Sequence, residues 1–153
     1  ERPMTNEPEI IISFPGGKKV NADFFGRIIE TDQSQRAGGE GSAPEPFALF
    51  LSSIGTCAGI YVLGFLQSRG LDTEGLQIRQ QLDMHPATGK LVGVRLKIDV
   101  PDTVPAKYHA ALQRAADMCA VKKAIQDPPQ FTVEVATTAS HRPAAGPEVE
   151  ARL

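Results

Sequence analysis

"FALFLSSIGTCAGIYVLGFL", residues 47–66, holds 20 consecutive residues without a charged side chain. Such a stretch is long enough to cross a bilayer, and its Gly55-x-x-x-Gly59 resembles the small-residue pattern of membrane helices. A helix buried on all sides of a soluble domain has the same composition. The surroundings favour the second reading. Strand patterns lie on both sides of the stretch, and a sheet built from them must close around it. Glu40 and Glu45 precede it and a lone Arg69 follows, so neither flank carries a basic cluster. Ser52, Ser53, Thr56 and three glycines also weaken it as a lipid-facing surface. The expected element is a helix from Pro46 to Arg69. Proline suits its first turn and Gly70 suits its left-handed stop. It is expected to be buried all round, with Gly55 and Gly59 admitting a second helix closely.

Working outward, "EIIISF" (9–14) reads as a strand, and 18–32 as two more strands hinged near Gly26. Residues 33–46, "QSQRAGGEGSAPEP", form a Gly-, Ser- and Pro-rich loop, a type of segment often given to function. Residues 75–84 and 90–100 alternate as strands, joined by the turn 85–89. Tyr108, Leu112, Ala115, Ala116 and Cys119 recur at helical spacing, predicting an amphipathic helix over 105–126. Pro128 and Pro129 end it, and 130–137 reads as a last strand. The expected fold is α+β, with the order β-β-β-α-β-β-α-β. One domain spans 9–137, between a lead-in at 1–8 and a flexible tail at 138–153.

The totals exclude several functions. A net charge of −2 over 153 residues gives no basic bias, so neither nucleic acid nor an acidic membrane is an expected partner. Without tryptophan and with two tyrosines, the chain lacks an aromatic platform for sugars or bases. The three histidines are scattered, and no Cys/His cluster has metal-ligand spacing, so no metal or bound cofactor is expected. Two cysteines are too few for a disulfide scaffold, and the N-terminal residues lack a signal-peptide pattern. The expected location is the cytoplasm, with reduced thiols.

Those thiols are the open question. Cys57 lies in the middle of the apolar helix and Cys119 on the apolar face of the second. Both would serve as small core hydrophobes. The element order also lets the two helices pack, which would bring the sulfurs face to face. A reactive thiol needs a cation or a helix N-terminus beside it. Arg36, near the start of the first helix, is the natural cation; Lys122 and Lys123 are weaker ones.

Two segments carry a resemblance. In "GSAPEPFALFLSSIGTCAG" (41–59), Pro-x-x-Leu is followed eight residues on by a cysteine. "AADMCAVKKAI" (115–125) places a second cysteine in a later helix. With their spacing, and over residues 9–136, the chain resembles the OsmC/Ohr proteins, the osmotically inducible and organic hydroperoxide resistance family. The resemblance implies two long central helices wrapped by antiparallel sheets in an intertwined homodimer. It also implies reduction of organic hydroperoxides, with an external dithiol reductant. Cys57 would be the peroxidatic thiol and Cys119 the resolving one, Arg36 would stabilise the thiolate, and an acid at the helix start would orient Arg36. That acid is usual one or two residues after the proline. Those positions hold Phe47 and Ala48 here, so Glu45 is the substitute. Ala120 stands where the family usually has a proline. The alternative function is an OsmC-like dimer without peroxidase activity, binding an apolar small molecule in its interface cleft.

Overall fold

The computed structural model describes residues 8–137; the lead-in before Pro8 and the tail 138–153 lie outside that range. Helix α1 runs Pro46–Ser68, with Glu45 as N-cap and Pro46 in its first turn. It ends where the sequence places a stop. Gly70 adopts φ 62°, and Leu71 N–H reaches Leu66 O at 3.0 Å while Gly70 N–H reaches Gln67 O at 3.1 Å. That pair of bonds is a Schellman ending, which satisfies carbonyls the helix itself cannot.

Burial along α1 differs from the sequence expectation. Only Ile54, Ala58, Val62 and Leu66 are buried, one ridge at every fourth position. The ridge meets Leu112 and Val104 in a small core, with Phe65, Leu76, Ile78, Ile98 and Tyr108 packed against it. The opposite face is open: Ile60 is 61% exposed, and Phe50 and Tyr61 are exposed as well. The helix is apolar all round but buried on one side, because one chain packs too few elements around it. The glycines also face something unexpected. A Cβ on Gly55 would meet the Gln80 side chain, and one on Gly59 would meet Ile78. The pair therefore admits a strand, not the second helix.

That second helix is broken. A 3-10 turn at Ala106–Tyr108 leads into α2 (His109–Asp117), and α3 (Ala120–Gln126) follows after a kink. Cys119 leaves helical geometry at φ −49°, ψ 119°, and its sulfur accepts the Lys122 N–H as an N-cap. Ala120 occupies the position where a proline would have announced a new helix start, so the periodic apolar residues concealed the break.

Strands β1 (Ile10–Gly16), β2 (Lys19–Phe24) and β3 (Arg27–Thr31) form an antiparallel sheet in that order; β4 (Gln77–Met84) pairs with β5 (Leu91–Asp99) in a second one. The β2–β3 turn holds Phe25 at φ 52° and Gly26 at φ 81°, with Asp23 accepting the Gly26 N–H at 2.7 Å. Cross-strand partners share a face. One face of the first sheet thus carries Ile10, Phe24, Ile12, Ala22 and Ile29, with Arg27 at its end; the other carries Ile11 and Ile28 among Ser13, Asn21, Asp23 and Glu30. Ile10, Ile12, Phe24 and Ile29 are all exposed on the first of these faces.

The expected last strand does not form. Residues 130–137 are extended in sequence pattern but join no ladder among the described residues. Phe131, Val133 and Val135 stand 87%, 90% and 95% exposed. A strand needs a neighbour to satisfy its backbone, and the described residues offer the segment none. Among the described residues the order is therefore β-β-β-α-β-β-α-α, with antiparallel sheets and three α-helices.

Candidate active site

The kink at Met118–Cys119 positions the site. It turns α3 so that its first amides point at α1, where Cys57 sits three residues after Ile54. The Val121 and Ala120 N–H groups at the start of α3, and the Cys119 thiol, lie near enough to Cys57 to act on its sulfur. The Cys119 thiol also reaches Ile54 O at 3.8 Å, and its sulfur accepts Lys122 N–H at 3.4 Å. Cys57 and Cys119, 62 positions apart in sequence, are thus neighbours where α3 packs on α1: the Cys119 sulfur rests on the Ile54 carbonyl, one turn before Cys57. Both are free thiols, Cys57 half-buried and Cys119 almost wholly buried at 1% exposure.

This environment favours the Cys57 thiolate. The Val121 amide lowers its pKa most, and Cys119 and Ala120 act in the same direction, outweighing the partial burial that raises it. Amides at a helix start carry partial positive charge, so the kink supplies what the sequence reading sought from a cation. Lys122 contributes differently from the expectation: its backbone N–H donates to the Cys119 sulfur that caps α3, while its ammonium pairs with Asp117.

Arg36 and Glu45 lie on the loop that precedes α1. Arg36 belongs to a 3-10 turn, Gln35–Ala37, and is exposed. Among the described residues its side chain makes no hydrogen bond or ion pair, with Glu45 or with either thiol. Glu45 instead accepts the Ser34 N–H at 2.9 Å. The Ser34 amide and hydroxyl hold the Glu45 carboxylate below its usual range. Glu45 thus fastens the loop to the first turn of α1. The structure brings the thiols together and leaves this pair apart.

Sequence reasoning missed Asp32, the knot of that loop. Its side chain is fully buried and accepts from Gln33 N–H (2.8 Å), Glu40 N–H (3.2 Å), Ser42 N–H (3.0 Å) and Ser42 Oγ (2.8 Å). The two Ser42 donors act most strongly in lowering its pKa to about 2. An aspartate at a strand end, followed by Gly39, Gly41 and Ser42, was the available signal. Beside Cys119 lies a mostly apolar groove of about 370 Å³, whose walls include Ile54, Ala58, Leu96 and Ile125 but also Asp117 and Lys122.

The family model for OsmC-like protein matches residues 39–134. The chain belongs to the OsmC-like family. A Psychrobacter arcticus protein assigned to the osmotic stress and detoxification response shares the fold, with a TM-score of 0.63 at 19% identity, over 75% of this chain and 85% of that one. A Legionella pneumophila organic hydroperoxide resistance protein OsmC gives 0.53 at 21% identity, over 77% and 89%. An OsmC-like protein of Mycoplasma pneumoniae gives 0.60 at 13% identity, over 82% and 91%. A comparison with curated proteins finds no match. At these identities the solved structures speak for the fold. Within this OsmC-like fold, α1 is long and apolar enough to cross a membrane by length and composition, yet it packs against α2, α3 and β4.

Proposed function

We propose that this OsmC-like chain reduces organic hydroperoxides through Cys57 and Cys119. The observation that carries the reading is a half-buried, thiolate-favoured Cys57 one turn along α1 from the Ile54 carbonyl on which the buried Cys119 sulfur rests. Cys57 thiolate attacks the distal peroxide oxygen and the O–O bond breaks. An alcohol leaves, taking one proton, and Cys57 becomes a sulfenic acid. The Cys119 sulfur then displaces the hydroxyl as water and closes a disulfide, without needing a large movement. An external dithiol takes up the oxidation by exchange and restores both thiols. Arg36 is assigned to the substrate-bound state, reaching the peroxide from its loop, with Glu45 holding that loop in place.

The working unit in this reading is a homodimer. A second copy would cover three surfaces that one chain leaves open: the Phe50–Ile60–Tyr61 face of α1, the apolar face of β1–β3, and the Phe131–Val133–Val135 edge. Exposed apolar area on this scale marks an interaction surface. A new strand partner would also satisfy the backbone of 130–137.

A second reading has its own observation. The apolar groove beside Cys119 suits a small apolar ligand, and Arg36 lacks the acidic partner the peroxidase reading assigns it. Peroxide consumption decides between them. Cumene hydroperoxide and a dithiol are supplied to the native chain, Cys57→Ser and Cys119→Ser. The peroxidase reading expects turnover only in the native chain, and a Cys57–Cys119 disulfide when the dithiol is withheld. Native consumption no faster than buffer would refute it and leave the ligand-binding reading.

A further inference from the structure

The thiol pair has a property that needs no redox step. Among the described residues, no group of three or more His, Cys, Asp or Glu converges anywhere. A zinc ion would want about four donors and calcium more, so the pair is a poor cage for either. Two neighbouring thiols, Cys57 on α1 and Cys119 seated on the Ile54 carbonyl one turn earlier at 3.8 Å, suit a soft centre that takes two thiolates and brings its own third substituent. The groove beside Cys119 is about 370 Å³ in volume and mostly apolar, walled by Ile54, Ala58, Leu96 and Ile125, with Asp117 and Lys122 also in its wall. It is shaped to receive an organic group carried by that centre.

We propose that Cys57 and Cys119 together chelate monosubstituted trivalent arsenicals, with the organic substituent lodged in the groove beside Cys119. The step balances without an oxidant. An arsenical R–As=O loses its oxygen, two S–As bonds form, and the two thiol protons leave with that oxygen as water. Arsenic stays trivalent and carbon keeps its bond to it. Both sulfurs are required, since one alone gives an adduct that other thiols displace. Cys57 is accessible to the incoming reagent, and Cys119 closes the ring from within. The inference shares its two residues with the proposed peroxidase but rests on their proximity alone, not on peroxide turnover.

Phenylarsine oxide is the probe. The reduced full chain is treated without oxygen, desalted, and examined by native mass spectrometry and by thiol titration. The expected result is a single phenylarsenic adduct per chain, loss of both titratable thiols, survival in excess monothiol, and release by dithiothreitol. Cys57→Ser and Cys119→Ser are each expected to retain at least tenfold less arsenical through the monothiol wash. Serine is a good helix N-cap, so Cys119→Ser keeps α3 started, and circular dichroism checks both variants. An adduct that leaves one thiol titratable overturns the proposal, as does a folded serine variant that retains as much arsenical as the native chain. A chain that holds the arsenical but leaves peroxide untouched refutes the peroxidase reading alone; the reverse result refutes chelation alone.

Discussion

Gly39→Ala tests whether the loop before α1 is as tightly built as its hydrogen bonds imply. A Cβ at Gly39 would fall on the Gln33 carbonyl group, 2.6 Å from its carbon and 2.9 Å from Asp32 Oδ1. Both are inside the 3.0 Å that real Cβ contacts essentially never breach. The obstacle is backbone and cannot rotate away. It is also held: Gln33 O accepts the Gly41 N–H at 3.0 Å, and Gly39 N–H itself reaches Ser34 O at 3.0 Å. Relieving the overlap means moving one strand of the loop and weakening both bonds. Overpacking of this kind costs roughly 1–3 kcal/mol, and each bond adds about 1 kcal/mol. A loss near 3 kcal/mol is expected. With a urea slope of about 2 kcal/mol/M, the unfolding midpoint falls by about 1.5 M. Gly38→Ala is the control: its φ is +85°, but an added Cβ meets only Lys18 Cε at 3.8 Å. The cost there is about 1–2 kcal/mol of left-handed strain. Peroxide turnover should fall with Gly39→Ala as well, because the loop carries Arg36 and Glu45. A Gly39→Ala midpoint equal to the native one, or above that of Gly38→Ala, would refute the packing argument.

Three further outcomes are expected. Leu66→Ala empties the centre of the α1–α2 core, where Leu66 is fully buried beside Val62, Val104 and Leu112; urea unfolding should show a loss of about 3 kcal/mol, and a loss below 1 kcal/mol would mean the core lies elsewhere. The Asp32 carboxyl has its folded pKa depressed to about 2, against an unfolded value of about 3.9. Its contribution is therefore complete above about pH 4, fades as pH falls towards 2, and is absent below. The native midpoint should fall more steeply over that window than the Asp32→Asn midpoint, and parallel curves would sink the assignment. Cys57, with its pKa lowered by the Val121 amide, should alkylate with a pH midpoint below the ~8.5 of a free thiol. Iodoacetamide kinetics followed by mass spectrometry measure this, and a midpoint at or above the free-thiol value would contradict the geometry.

Much of this molecule was legible in its sequence, because the signals were local. Pro46 and Gly70 bracket α1 through properties of their own backbones. Alternation over 90–100 and the turn at Gly26 marked strands for the same reason, and two cysteine segments with their spacing carried the family. What the sequence left open depended on neighbours it does not encode locally. The apolar residues of α1 look alike on every side, and only tertiary packing decided that Ile54, Ala58, Val62 and Leu66 face inward while Ile60 stays open. Gly55 and Gly59 announce a close approach, but the fold chose β4 as the element that approaches. The kink at Cys119 has no proline to declare it. A sulfur caps Lys122 N–H there, and the kink is what makes two helix-borne thiols neighbours. Asp32 looks like any loop aspartate until four donors close around it. Residue type set which chemistry was possible here; distance, set by the fold, decided which of those residues meet.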